Sequence, residues 1–159
     1  MDDVTIARAL HVLAVVLWIG GVAMVATVLL PAVRGFKNAE ERIAFFEALE
    51  RRFAWQARGT TLLAGASGFY MVDRLELWRK ISLLEYWWLA AMIAVWALFT
   101  IVLFLAEPMF LGRYLDRRAR AAPESTFALI ARFHWALLAV SLLTIMGAVL
   151  GSHGLLLFG

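Results

Sequence analysis

The stretch ALHVLAVVLWIGGVAMVATVLLPAV, running from Ala9 to Val33, contains no Asp, Glu, Lys or Arg and decides the fold. At ~1.5 Å of rise per residue a helix of that length outruns the ~20 residues that span a hydrocarbon core. Inside lipid, helical hydrogen bonds are what satisfies its backbone N–H and C=O groups. Two further stretches share this character: Tyr86 to Ala106 and Phe133 to Gly159 are also free of charged residues. A fourth crossing is written more faintly. Gly59 to Val72 is uncharged but short, so that span must begin near Phe53 and take Arg58 with it. Four helices are therefore expected, at about residues 5–33, 53–73, 85–110 and 126–157. The expected fold is all-α: an integral membrane four-helix up-down bundle forming a single transmembrane domain over residues 1–159.

The rest of the composition agrees. Hydrophobic residues make up 64% of the 159 residues and charged ones 17%, against roughly half and a quarter in soluble proteins. So little polar surface cannot cover the apolar remainder in water. The chain has no cysteine, which excludes disulfides, iron–sulfur clusters, thiolate zinc sites and covalent haem attachment. No cleavable signal peptide is expected: the apolar run after Arg8 is too long for a signal core, and the chain opens on Asp2-Asp3.

Basic residues set the expected orientation. The first connection holds Arg34, Lys37, Arg42, Arg51 and Arg52, and the third holds Arg113, Arg117, Arg118 and Arg120. The second holds Arg74, Arg79 and Lys80, while Arg8 stands alone before the first span. Connections one and three then face the cytoplasm of a bacterial inner membrane, and both termini lie outside, in the periplasm. Within the first connection Asn38 and Glu41 have capping-box spacing, and Ile43, Phe46, Leu49 and Phe53 recur at helical intervals. That pattern predicts an amphipathic interfacial helix in the first cytoplasmic loop, running on toward the second span.

Polar groups are costly in a bilayer, so the few inside the spans are the candidates for chemistry. His11 lies about two turns into the first helix. His153 lies about two turns before the expected end of the fourth, so the two imidazoles are expected at one depth near the outer face. Two facing imidazoles suit a six-coordinate haem iron. Met92, two turns into the third helix, is a further candidate: its thioether with an imidazole suits either iron or Cu(I). Gly147 and Gly151 near His153 leave room for a close helix contact or a flat macrocycle. His134 precedes His153 by 19 residues, about 28 Å along a helix, and cannot share its metal. With Arg58, Glu107 and Arg132 it belongs to an inner-side polar site suited to a quinone head group, a proton path or a porphyrin carboxylate. No nucleophile–base pair, phosphate loop or zinc-protease signature occurs. The arginines at a membrane face point to anionic lipid and not to nucleic acid.

The run Ala9-Leu10-His11-Val12-Leu13-Ala14-Val15-Val16-Leu17-Trp18-Ile19-Gly20-Gly21 resembles the opening helix of two related groups of small membrane proteins. One is the copper-resistance protein D (CopD) group; the other is the haem-binding protoporphyrinogen oxidase of the HemJ type. In the latter an Glu-Arg-Arg segment precedes the second helix, as Glu50-Arg51-Arg52 does here. The resemblance implies that His11 is an axial haem ligand or a metal ligand. Where the HemJ type carries Trp-Leu-His-x-Lys on its third helix, this chain has Trp88-Leu89-Ala90-Ala91-Met92. His153 or Met92 would then supply the second ligand.

The expected function is that of a b-type haem membrane protein in electron transfer, an oxidoreductase in the broad sense, working with a quinone and a redox partner protein. Copper transport of the CopD type and a structural or assembly role in a respiratory complex are the alternatives. Homo-oligomers fit any of the three.

Overall fold

The computed structural model describes residues 2–35 and 39–154, which are helical almost throughout and contain no strand among them. We name four helices. Helix α1 runs Asp2–Met24, passes through a π-helical segment at Val25–Leu29 and continues as Leu30–Arg34. Helix α2 is unbroken over Ala39–Arg74. Helix α3 runs Trp87–Ile101, widens into a π-helical segment at Val102–Leu111 and continues over Gly112–Ala121. Helix α4 is Pro123–Ser152. Three spans are long and apolar enough to cross a membrane: Asp3–Arg34, Leu84–Met109 and Pro123–Ser152. The polar residues of α2 keep it out of that set.

Both π-helical segments adjoin a proline. Pro31 follows the first closely, and Pro108 lies inside the second. A proline has no N–H to return to the preceding turn and its ring crowds that turn, so the local ladder widens. At the other extreme, α4 stops where hydropathy gives no warning. Gly154 takes a φ of 89°, the left-handed conformation that closes helices, and its N–H bonds Gly151 O at 3.1 Å. The fourth helix was expected to reach residue 157. It ends at Ser152, and 155–157 lie outside the described residues, as does Asn38 of the expected capping box. The arginines expected in a third loop instead stand on the helical continuation Gly112–Ala121.

α2 belongs to the bundle because of its small residues. Ala57, Thr61, Ala64 and Ser67 are all buried and recur at intervals of three and four, which makes one flat face. α1 packs on that face more extensively than any other two helices pack. Small residues let backbones approach, and in lipid such packing replaces the hydrophobic drive. The ends are tied as well. Tyr70 donates to Asp3 Oδ2 at 2.8 Å and Arg74 pairs with the same oxygen at 3.1 Å, so the start of α1 meets the end of α2. At the opposite end Arg42, buried near the start of α2, pairs with Glu124 at the start of α4. We refer below to the Asp3 end and the Arg42 end.

Two apolar clusters fill the interior. Ala14, Trp18, Val22, Phe99 and Leu137 belong to the middle one, where Trp18 meets Phe99 edge to face at 4.7 Å between ring centres. Leu29, Val33, Phe46, Phe127 and Ile130 belong to the one at the Arg42 end. Glycines mark where helices interlock. A β-carbon at Gly21, Gly65, Gly147 or Gly151 would overlap the ring of Phe53, Trp96, Trp87 or Trp88 respectively. Each glycine is a notch that receives one aromatic ring from a neighbouring helix.

Candidate functional site

His11 shares a face of α1 with Ala14 and Trp18, three and seven residues on, both of them buried. Its ring lies against α2 where Gly68 lacks a side chain. A β-carbon there would stand 3.1 Å from Cε1 and 3.3 Å from Nδ1. Nδ1 is 2.9 Å from Ala64 O and 3.3 Å from Ser67 Oγ. A carbonyl oxygen can only accept, so the proton sits on Nδ1. In the neutral ring Nε2 keeps its lone pair. A backbone carbonyl holding Nδ1–H while Nε2 stays available is how metal-binding imidazoles are commonly oriented. His134 and His153 follow the same rule, with Nδ1 at 2.9 Å from Ile130 O and 2.8 Å from Val149 O.

His11 and His153 do not share the depth expected from sequence. α1 begins at Asp2, which places His11 nine residues, or about 14 Å, inside the helix. α4 ends before His153, which is exposed at the rim of the Asp3 end. Nor do the nearby glycines leave a slot for a macrocycle, because the Trp87 and Trp88 rings occupy the space at Gly147 and Gly151. The signal for this lay in the Trp87-Trp88 pair at the start of α3, which fits the two glycine notches one turn apart.

Met92 stands closer to the level of His11. The Trp96 ring fills the notch at Gly65 and its Nε1 donates to Thr61 O at 3.0 Å. Met92 is one turn from Trp96 toward the Asp3 end of α3, while Gly68, under His11, is about one turn from Gly65 toward the same end of α2. Both residues therefore lie near the level of the same turn of α2.

The second group of candidates surrounds a cavity of about 250 Å³ toward the Arg42 end. All four helices line it: Trp18 from α1, Glu50 and Ala57 from α2, Glu107 from α3, His134 and Leu137 from α4. Of the four residues expected at an inner polar site, three meet here. Glu107 and His134 face the cavity, and Arg58 pairs with Glu107. Arg132 does not join them; it is exposed on another face of α4 and outside the cavity lining.

The position of Arg58 has a local cause. In the π-helical segment the N–H groups bond back five residues, as Gly112 does to Glu107. Pro108 has no N–H to offer Leu103 O in that register. Arg58 Nε donates to Leu103 O at 3.1 Å, and its guanidinium also holds the Glu107 carboxylate. One side chain from α2 thus satisfies a carbonyl and a carboxylate that a proline-broken helix presents inside the bundle.

Two cavity residues were missed in the sequence. Glu50 falls on the stripe Phe46, Phe53, Ala57, at four, seven and eleven residues' spacing, and all four line the cavity. A carboxylate on the apolar face of an amphipathic helix was the signal. Trp18 stands in the sequence only within the run that carries the family resemblance, yet its Nε1–H is buried with no hydrogen-bond partner among the described residues. Among the described residues no three His, Asp or Glu side chains gather into a metal-binding group. Comparison with family models, with curated proteins and with solved structures finds no match to the chain.

Proposed function

We propose that the chain is a four-helix up-down bundle of a bacterial inner membrane and that it binds haem b in an electron-transfer role, with His11 as an axial ligand. The Arg42 end faces the cytoplasm in this reading, and both termini are periplasmic. The concentration of arginine at that end supports the orientation. α2 has 36 residues, about 54 Å of helix, against ~30 Å of hydrocarbon. Its first turns, which carry Arg51 and Arg52, would lie at the inner interface as the amphipathic piece, and its small-residue face would make the fourth crossing against α1.

The observation that carries the haem reading is the state of His11: Nδ1–H is held by Ala64 O, the ring is backed by Gly68, and Nε2 is left as the donor atom. The fit is partial. The helix levels favour Met92 over His153 as the second ligand, and the slot beside Gly147 and Gly151 is taken by tryptophans. When bound, the haem would supply a one-electron couple; the protein would supply the ligands, the orientation and an apolar surround. Imidazole and thioether at one level also make a donor set for Cu(I), which is the second reading.

One absorption experiment separates these. Protein purified in detergent is expected to show a Soret band, with resolved α and β bands on reduction. His11→Ala should abolish the six-coordinate spectrum. Met92→Ala and His153→Ala identify the second ligand by which of them does the same. A normal spectrum in His11→Ala overturns the assignment. Copper on metal analysis with no porphyrin band favours the copper reading, and neither cofactor in a protein that copurifies with a respiratory complex favours a structural subunit.

A further inference from the structure

We propose that the cavity at the Arg42 end takes one acyl chain of an anionic phospholipid whose phosphate is held by Arg132. This goes beyond the haem reading and does not depend on it; it rests only on the bundle lying in a membrane.

The charge comes first. Arg132 is the only basic residue between Pro123 and Ser152, and it lies nine residues, about 14 Å, inside a helix apolar enough to cross a bilayer. It is exposed on the outside of α4 and forms no ion pair or hydrogen bond among the described residues. Glu124 on the same helix is engaged by Arg42, and Glu107 on α3 by Arg58. A guanidinium at that depth stretches toward the membrane surface and needs an anion there. The bilayer supplies one as lipid phosphate, which arginine matches with two parallel hydrogen bonds.

An opening lies beside it. Leu129 is three residues from Arg132, a neighbour on the helix surface, and Phe133 follows Arg132 directly. Leu129 and Phe133 both line the cavity, yet they are 44% and 40% exposed. Phe133 stands about four turns before Gly147, the notch for Trp87, so it shares the face of α4 that meets α3. Opposite is the π-helical segment of α3, which lines the cavity through Val102, Leu103 and Glu107. That widened segment breaks the regular rows of side chains by which helices interlock. The cavity therefore opens between α3 and α4 onto lipid, with Arg132 at its edge.

The walls select the chain over the headgroup. Val22, Leu29, Phe53 and Leu137 line the interior, which is almost wholly apolar. Its volume of about 250 Å³ is below the ~300 Å³ of small ligand pockets and admits a flexible chain without its headgroup. The carboxylates of Glu50 and Glu107 in its lining also repel an anionic head. The charged end stays outside, at Arg132.

The test is native mass spectrometry of the full-length protein in mild detergent, titrated with phosphatidylglycerol or with phosphatidylcholine of the same chains. One phosphatidylglycerol per protein chain is expected to stay bound at concentrations where phosphatidylcholine does not. Arg132→Gln should weaken its retention about fivefold, the loss of one arginine's attraction for an anionic lipid. Two controls should retain it fully. Arg34→Gln removes an exposed arginine of α1 at the same end of the bundle, and His11→Ala keeps the result separate from the haem assignment. A phosphatidylglycerol with a diazirine on its acyl chain reads where the chain goes: irradiation should label Phe53 and Leu137 inside the cavity. The proposal falls if the two lipids are retained equally, or if Arg132→Gln holds phosphatidylglycerol as the wild type does. It falls equally if either control loses as much as Arg132→Gln, or if the label is confined to residues outside the cavity.

Discussion

Arg58→Leu is expected to destabilise the folded protein by about 1–2 kcal/mol, below the scale of a buried ion pair because the two side chains are 22% and 38% exposed. The loss has two parts. Glu107 keeps a carboxylate inside the bundle with its cation gone, and Leu103 O loses the donor that stands in for the N–H missing at Pro108. Glu107→Gln should cost less, because the amide still accepts from the guanidinium and the Leu103 bond survives. Arg58→Leu combined with Glu107→Leu should recover part of the loss, since no unpaired charge then remains. Adding Pro108→Ala should recover more: an N–H at 108 can bond back into the turn and relieve the orphaned carbonyl. The measurement is a double-mutant cycle on thermal unfolding in detergent. Additive effects of the three substitutions would show that Arg58, Glu107 and Pro108 do not act as one unit.

That cluster also shows what the sequence could and could not disclose. Three spans were legible because each is a long run without charge, and lipid leaves such runs no other structure. The Arg58–Glu107 pair was legible for a related reason: two charges of opposite sign at one depth have strong cause to meet. What they jointly satisfy was not, since a carbonyl freed by Pro108 has no letter of its own. His153 illustrates a different failure. Hydropathy treats Phe133 to Gly159 as one apolar run, whereas the end of α4 is set by backbone conformation at Gly154, and a shift of a few residues along a helix moves a ligand by several ångströms. The cavity was half visible. His134 and Glu107 stood out as polar residues in apolar runs, but nothing in the sequence marks Trp18 as the tryptophan whose buried N–H lacks a partner among the described residues.

The aromatic notches yield the second large effect. Gly147→Leu is expected to cost about 2–3 kcal/mol, the upper range for forcing bulk into a packed interior. Even the first added carbon overlaps the Trp87 ring, and an indole wedged between helices has few rotamers to escape into. Gly147→Ala should already be felt, whereas at Gly20, where a β-carbon meets nothing within 4 Å, alanine should be close to neutral. The decisive comparison is reciprocal. Trp87→Leu alone empties the notch and should destabilise through the cavity it leaves. Combined with Gly147→Leu, part of the added side chain enters the space that Trp87→Leu vacates, so the double variant should be more stable than the sum of the single losses predicts. Thermal unfolding of the four proteins in one detergent reads that coupling directly. Zero coupling would mean that Trp87 does not occupy the Gly147 notch in the folded protein. The start of α3 would then be free to move away from α4, and the slot beside His153 would be open to a ligand after all.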